Sequence, residues 1–492
     1  MSDVNRIRRA IIESIPTTSN YGEFPEQQLV YVPPAHVKAL RMESNLVVGS
    51  RGVGKSFWTA VLGSSALRGL LGASVRELEH VQVSIGFATN ENIDAYPNIE
   101  VFAELLQEGF TAYEVWRAVV LRWLTSVVGE QIQKDDWRVT VLWAKSNPEP
   151  LARLMQRANQ AFQSSGKKGL IVFDALDRSS NDWRVMDGIV RDLLRVVLWL
   201  KSYPTIHAKV FLREDQFSRT ISDFQDASKL LATKAELTWQ PHDLHGLLWQ
   251  LLCNAPDEYG ELLRDIYTQT MGSIVQREGA WLLAEETRRD GPKQRLLFET
   301  LAGLWMGKDR RRGIPYVWSV SHLVDGKGRT SPRSFLTAIQ AAAEDSLEGY
   351  PNHHYALHYE SIKRGVQKAS EIRIAEIAED YPWVTELFRP LRGLTVPCDF
   401  SAIEDRWNQH FLGGAGTITH DRLPPQNAER GWSGIYEDLA RLGLFEKMKD
   451  GRVNMPDLYR VGFGLGRRGG VKPWALTTDG LAQQHNDHSH QR

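Results

Sequence analysis

The chain has 492 residues, with 59 lysines and arginines against 60 aspartates and glutamates. That length exceeds a single compact core, so two or three domains are expected. The balanced charge excludes a bulk attraction for nucleic acid or anionic membrane, so any such contact has to be local. Cys253 and Cys398, the two cysteines, build no disulfide framework and show no metal spacing. The start Met1 to Arg6 lacks the apolar core of a signal peptide, and no window approaches a membrane span, so a cytoplasmic protein without a membrane partner is expected. The tryptophans, 16 in number, read as core or interface anchors rather than as ligand platforms.

In chain order, residues 1–38 carry Pro25, Pro33 and Pro34 and read as an arm leading into a nucleotide domain over 39–240. Within the arm, Tyr31-Val32-Pro33-Pro34 either flanks an adenine or simply packs. The apolar run Leu46-Val47-Val48 then enters Gly49, Ser50, Arg51, Gly52, Val53, Gly54, Lys55 and Ser56, and a helical stretch follows over Phe57 to Leu71. This is a phosphate cradle. Its glycines let backbone N–H groups turn inward around a β-phosphate, Lys55 reaches the β/γ-phosphates, and the Ser56 hydroxyl can ligate Mg²⁺.

An alternating strand is expected over His80 to Phe87, then a long helical section from Ile99 to Ser165. Gly169 to Phe173 is a continuous apolar run ending in Asp174, as in a strand buried on both faces of a parallel sheet. An acid at the carboxyl end of such a strand meets the phosphate loop across the nucleotide, where Asp174 would hold Mg²⁺ through a water. The acid-bearing strand is not the one directly after the loop helix. An additional strand between the two favours an ATPase over a small-molecule kinase.

A helix over Trp183 to Lys201 precedes a second buried strand, Ala208 to Arg213, which ends in Glu214-Asp215. Arg213 can report the terminal phosphate by pairing with it, or it can be salt-bridged to Asp215 or another acid. From Thr238 to Leu304 the period is helical, with Leu244, Leu247, Leu248 and Leu251 on one face, and a helical lid is expected over 241–370. Within it Pro332 stands near the first turn of a helix, which places Arg333 at a helix start.

Residues 371–478 change character. A helix ending near Gly443, a strand, an Asp450-Gly451 turn and a returning strand over Arg452 to Met455 read as a winged helix. Its candidate recognition helix, Tyr436 to Arg441, has as many acids as it can offset, which disfavours groove insertion. Arg460, Arg467, Arg468 and Lys472 form either a phosphate-binding patch or a solvated face, so a DNA contact would run through 436–472. Residues 479–492 are a polar tail, expected to be disordered.

The ordered motifs resemble those of the STAND and origin-recognition-like branch of AAA+ ATPases. The resemblance rests on Gly49 to Ser56, Asp174-Ala175-Leu176-Asp177-Arg178, the Arg213 strand end, Ser331-Pro332-Arg333 and the C-terminal module. It implies an α/β fold: a RecA-like P-loop NTPase core with a parallel sheet, a helical lid and a C-terminal winged-helix domain. It also implies ATP and Mg²⁺ at the first two motifs, Arg213 as a first sensor and Arg333 as a lid-borne second sensor. Ala175 departs from the pattern, because many relatives carry there a second acid that polarises the attacking water, and a methyl group cannot. Asp177 is the candidate to serve in its place, with Lys55 and Asp174 completing the catalytic set.

The functional expectation is therefore an ATP-binding switch with slow or partner-stimulated hydrolysis. It would control a separately encoded partner protein in a bacterial antiphage or conflict system, with homo-oligomerisation as a further expectation. The alternative is an origin-recognition-like ATPase that assembles on DNA. A phosphotransferase would need a positioned acceptor-activating base, and none stands out.

Overall fold

The computed structural model describes residues 3–16, 25–71, 75–130, 136–217, 220–277, 279–289, 291–420, 422–469 and 471–473. The tail expected over 479–492 lies outside them. The chain forms two compact units, one of residues 1–301 with 331–336 and 421–423, the other of 302–330, 337–420 and 424–492.

The first unit is built on a five-stranded parallel sheet. Its strands are β1 (Leu46–Gly49), β2 (Val81–Phe87), β3 (Lys168–Phe173), β4 (Ile206–Arg213) and β5 (Ala235–Leu237), in the order β2-β3-β4-β1-β5. Both neighbours of β1 run parallel to it. The expected additional strand is β4, which lies between the loop strand β1 and the acid strand β3. Parallel strands covered on both faces must be apolar throughout. Accordingly Leu170, Ile171, Val172 and Phe173 are all buried.

β4 breaks that pattern at His207, Lys209 and Arg213. Lys209 is fully buried, and its ammonium donates to the carbonyls of Ala39 (2.7 Å), Arg41 (2.9 Å) and Ser44 (2.6 Å). A buried cation survives only where its donors are met. Even so, desolvation pulls its pKa down to about 7. This clamp ties the turn before β1 to the centre of the sheet.

The helical section after β2 consists of Ile99–Gln107, Ala112–Val128, Trp137–Ser146 and Pro148–Ser164. Thr111 and Glu114 close a reciprocal capping box at the start of the second of these. Trp116 anchors that helix: its ring meets Phe173 at 5.5 Å, and its indole N–H donates to the Ile189 carbonyl at 3.0 Å. Ile189 belongs to the Trp183–Leu200 helix, which buries Met186, Val190, Leu193, Leu194 and Val197 along one stripe.

Three local departures from the sequence pattern have physical causes. The stretch after the loop is two helices, Lys55–Gly63 and Ser65–Leu71, broken at Ser64, which is extended and whose hydroxyl accepts from the Leu67 N–H. The arm contains the helix Asp3–Ser14, which buries Ala10 and Ile11 and pairs Arg6 with Glu258 at 3.1 Å. The expected helical run after Thr238 is interrupted by an antiparallel ribbon, Val275–Arg277 with Ala280–Leu282. Asn254 holds that ribbon from a distant helix end, exchanging hydrogen bonds of 2.8 Å with the Trp281 backbone.

The second unit contains the helices Tyr359–Asp380, Phe400–His410 and Trp432–Arg441, followed by a short ribbon, Glu446–Lys447 with Val453–Asn454. Gly451 in its turn has φ +88°. Phe388, Trp407, Trp432 and Phe445 interlock as its aromatic core.

Candidate functional site

β1 delivers the chain to the phosphate loop at Gly49, where a Cβ would come within 2.6 Å of Val53 Cγ1 and 3.2 Å of Leu237 Cβ. Only glycine fits that approach. Gly52 (φ +75°) and Gly54 (φ +104°) adopt left-handed backbone, which allows the loop to curl before the Lys55–Gly63 helix begins. Val53 is buried in the core beneath the loop, whereas Arg51 at its tip is half-buried.

Lys55 folds back over the loop and donates to the carbonyls of Gly49 (3.0 Å) and Ser50 (2.8 Å). Burial, followed by the Arg213 charge, lowers its pKa to about 8 against the pull of Asp174, Asp177 and Asp215.

Asp174 follows β3 and is 2% exposed. Burial raises its pKa, opposed by hydrogen bonds from the Ser56 hydroxyl and the Ala175 backbone N–H. The structure therefore brings Ser56 and Asp174 together as two hard oxygen donors at the start of the loop helix, a pair suited to Mg²⁺ completed by phosphate and water oxygens. Among the described residues no group of three or more His, Cys, Asp or Glu is placed to hold a metal by itself. Ala175, where a second acid would stand, sits in left-handed backbone at φ +55°.

Arg213 ends β4 directly beside Gly49 in the strand register. Its guanidinium grips Asp215 through two hydrogen bonds, 3.1 Å from Nε and 2.8 Å from Nη2, and reaches Asp177 Oδ2 at 3.4 Å. In this structure the salt-bridged reading of Arg213 is the one realised, with Asp177 as a second acidic neighbour. Asp177 itself remains half-buried.

Ser331 and Arg333 also reach the loop. A Cβ built on Gly52 would lie 3.4 Å from Ser331 Oγ and 3.9 Å from Arg333 Cβ. Ser331 caps the helix that Pro332 opens, accepting the Ser334 N–H at 3.1 Å.

A second layer went unnoticed in the sequence. Trp239, just past β5, donates its indole N–H to the Val53 carbonyl at 2.9 Å, so a side chain from another strand holds the loop backbone. Trp58 donates to His36 Nδ1 at 3.0 Å, and the other His36 nitrogen meets the Thr238 carbonyl at 3.0 Å. The ring is therefore neutral with its proton on Nε2, and burial drives its pKa down to about 3. Tyr31 stacks on Trp239 at 6.3 Å and is buried, so in the Tyr31–Pro34 segment it is the packing role that the structure shows. The only sequence signal for this layer was the excess of tryptophan, which says nothing about partners.

Of the basic residues Arg460, Arg467, Arg468 and Lys472, Arg460 is spent internally: it is fully buried and pairs with Asp457 at 2.7 Å. Arg467 reaches the same carboxylate at 3.3 Å but stays exposed, as do Arg468 and Lys472.

Together the sheet and its loop define a nucleoside-triphosphate fold, a RecA-like P-loop core with one strand inserted between the loop strand and the acid strand. No protein-family model matches the chain, and no curated protein matches it in sequence. Among solved structures it is similar to the ORC2 protein of Aeropyrum pernix in its ADPNP–ADP complexes, at 13% identity and a TM-score of 0.41, covering 88% of this chain and 94% of that one. The ADP form of the same protein aligns at 13% identity and a TM-score of 0.31, covering 91% and 92%. Likeness of this strength leaves function to be read from the residues.

Proposed function

We propose that this chain is an ATPase of the AAA+ kind, in which ATP and Mg²⁺ occupy the end of the sheet and hydrolysis is slow. The observation that carries this reading is the convergence of Lys55, the Ser56–Asp174 pair and the Asp177–Arg213–Asp215 cluster at one sheet edge, with Ser331 and Arg333 against Gly52. Lys55 would exchange its loop carbonyls for phosphate oxygens, while Ser56 and Asp174 hold the metal. Bound Mg²⁺ would neutralise charge on the β/γ-phosphate oxygens. Asp177, half-buried beside Arg213, would orient water, and Arg213 would limit it by sharing its charge. Release of Arg213 from Asp215 toward the terminal phosphate would free Asp177 and couple nucleotide state to the β4 end, which suits a sensor. Arg333, on the segment against Gly52, would report nucleotide from a second direction.

The expected result is that Lys55→Ala abolishes the Mg²⁺-dependent equivalent of ATP in calorimetric titration, whereas Asp177→Asn retains it and loses about 100-fold in turnover, the scale of general-base assistance. Mg²⁺-dependent binding that is unchanged in Lys55→Ala would sink the proposal.

A second reading, assembly on DNA, is favoured by one observation. Residues 306–313 form a closed loop, with the Met306 N–H on the Gly313 carbonyl at 2.9 Å, that exposes Lys308, Arg310, Arg311 and Arg312. None of the four pairs with a described carboxylate side chain. Replacing all four by alanine should flatten the salt dependence of duplex binding by about three to four in log–log slope. The partner-controlling role in bacterial defence rests on association with relatives, and no residue above bears on it.

A further inference from the structure

We propose a second ligand site in the first unit, separate from the phosphate loop, that takes a nucleoside phosphate: an anion joined to a planar ring. It lies along the Trp183–Leu200 helix, where a solvent-open cavity of about 580 Å³ is lined by Tyr113, Arg191, Arg195, Leu198, Trp199 and residues 223–225. That volume falls within the range of small-molecule sites, about 300–1,000 Å³. At about 1.5 Å per residue, Arg191 and Trp199 stand some 12 and 24 Å along the axis from Trp183, well away from the acids that follow β3.

The charges at this cavity are unusual. Behind its wall Arg117, on the neighbouring Ala112–Val128 helix, lies against the rings of two lining residues, Tyr113 (5.6 Å) and Trp199 (5.0 Å). Arg195 also lies over Tyr113, at 4.8 Å. Neither Arg117 nor Arg191 forms an ion pair with any described residue, and Arg117 Nε is buried with no hydrogen-bond partner among them. Arg195 alone is paired, to Asp192 at 3.0 Å, and the other oxygen of that carboxylate accepts the Tyr113 backbone N–H at 3.1 Å. Asp223 is exposed at the margin.

A guanidinium whose Nε is buried without a partner is costly as packing alone, because that donor is desolvated without return. The same arrangement is preorganised for phosphate, since the planar fork is fixed and has lost little rotamer freedom left to lose. Trp199, Phe224 and Leu198 supply the aromatic and apolar surface against which a base stacks. The cations Arg191 and Arg195 line the cavity itself and can take the phosphate charge directly, so its ligand should bind without Mg²⁺.

The test is equilibrium dialysis of the full chain with ATP and AMP, with and without Mg²⁺. Lys55→Ala is expected to keep one equivalent of Mg²⁺-independent nucleotide, and adding Arg191→Ala and Arg195→Ala should weaken that equivalent at least tenfold, with the melting temperature of the chain as the control for folding. Arg117→Met, which keeps a long apolar side chain between the rings, should weaken it likewise. AMP should displace the bound ATP, and inorganic phosphate at the same concentration should not. The inference is overturned if Lys55→Ala binds no nucleotide, if its binding survives the arginine replacements, or if phosphate alone competes as well as AMP. Failure of the phosphate-loop reading has a different signature, namely a Mg²⁺-dependent equivalent that persists in Lys55→Ala.

Discussion

His36 shows how much of this site depends on one neutral side chain. One ring nitrogen accepts from Trp58 and the other donates to the Thr238 carbonyl, and the ring lies edge-on to Trp58 and Trp239. Protonation would put a second hydrogen where Trp58 already donates. The folded pKa of about 3 lies below the ordinary value of 6.5, so between those pH values the unfolded chain binds a proton that the folded chain refuses. Stability from this group is complete above about pH 6.5 and falls as the pH drops, by about 2 kcal/mol at pH 5. Urea midpoints at pH 7 and pH 5 should therefore converge in His36→Asn relative to the unmodified chain. An identical pH dependence in the two would refute the assignment.

At the scale of elements, β4 does two jobs that pull against an apolar strand. Its middle carries Lys209 into the core and its end carries Arg213 to the site. Lys209→Met removes the donor from three carbonyls at once, and a loss of about 3 kcal/mol is expected from the unmet acceptors, read as a lower denaturant midpoint. The parallel strands and the phosphate loop were legible because each is contiguous: an apolar run of four to six residues, then glycines at fixed offsets. An additional strand between the loop strand and the acid strand was legible from the order of the motifs, whereas only the fold decided that β4 fills that place. The ribbon over 275–282 was not, because its pairing is held by Asn254, and three-residue strands carry no periodicity of their own.

At the scale of the molecule, the two compact units each bury their own aromatic and aliphatic core. Mg·ATP at about 100 times its dissociation constant should stabilise the unit that contains the phosphate loop by about 2.7 kcal/mol. Scanning calorimetry should show this as an upward shift whose Mg²⁺-dependent part Lys55→Ala abolishes, and a Mg²⁺-dependent shift that survives the substitution would place that stabilisation elsewhere.

What the sequence determined by itself is the chemistry that neighbouring residues dictate together. Gly49 to Ser56 can only be a sharp turn into a helix, and the run ending at Asp174 can only be a buried strand with an acid at its end. The tertiary structure alone decided which groups are already spoken for. Arg213 is gripped by Asp215, Arg460 is consumed by Asp457 in the core, Ser331 meets Gly52 across a long stretch of chain, and Trp239 holds the loop from β5. The reason is physical: a side chain's charge and hydrogen-bonding capacity are local properties, but whether they are satisfied depends on partners that only folding brings within reach.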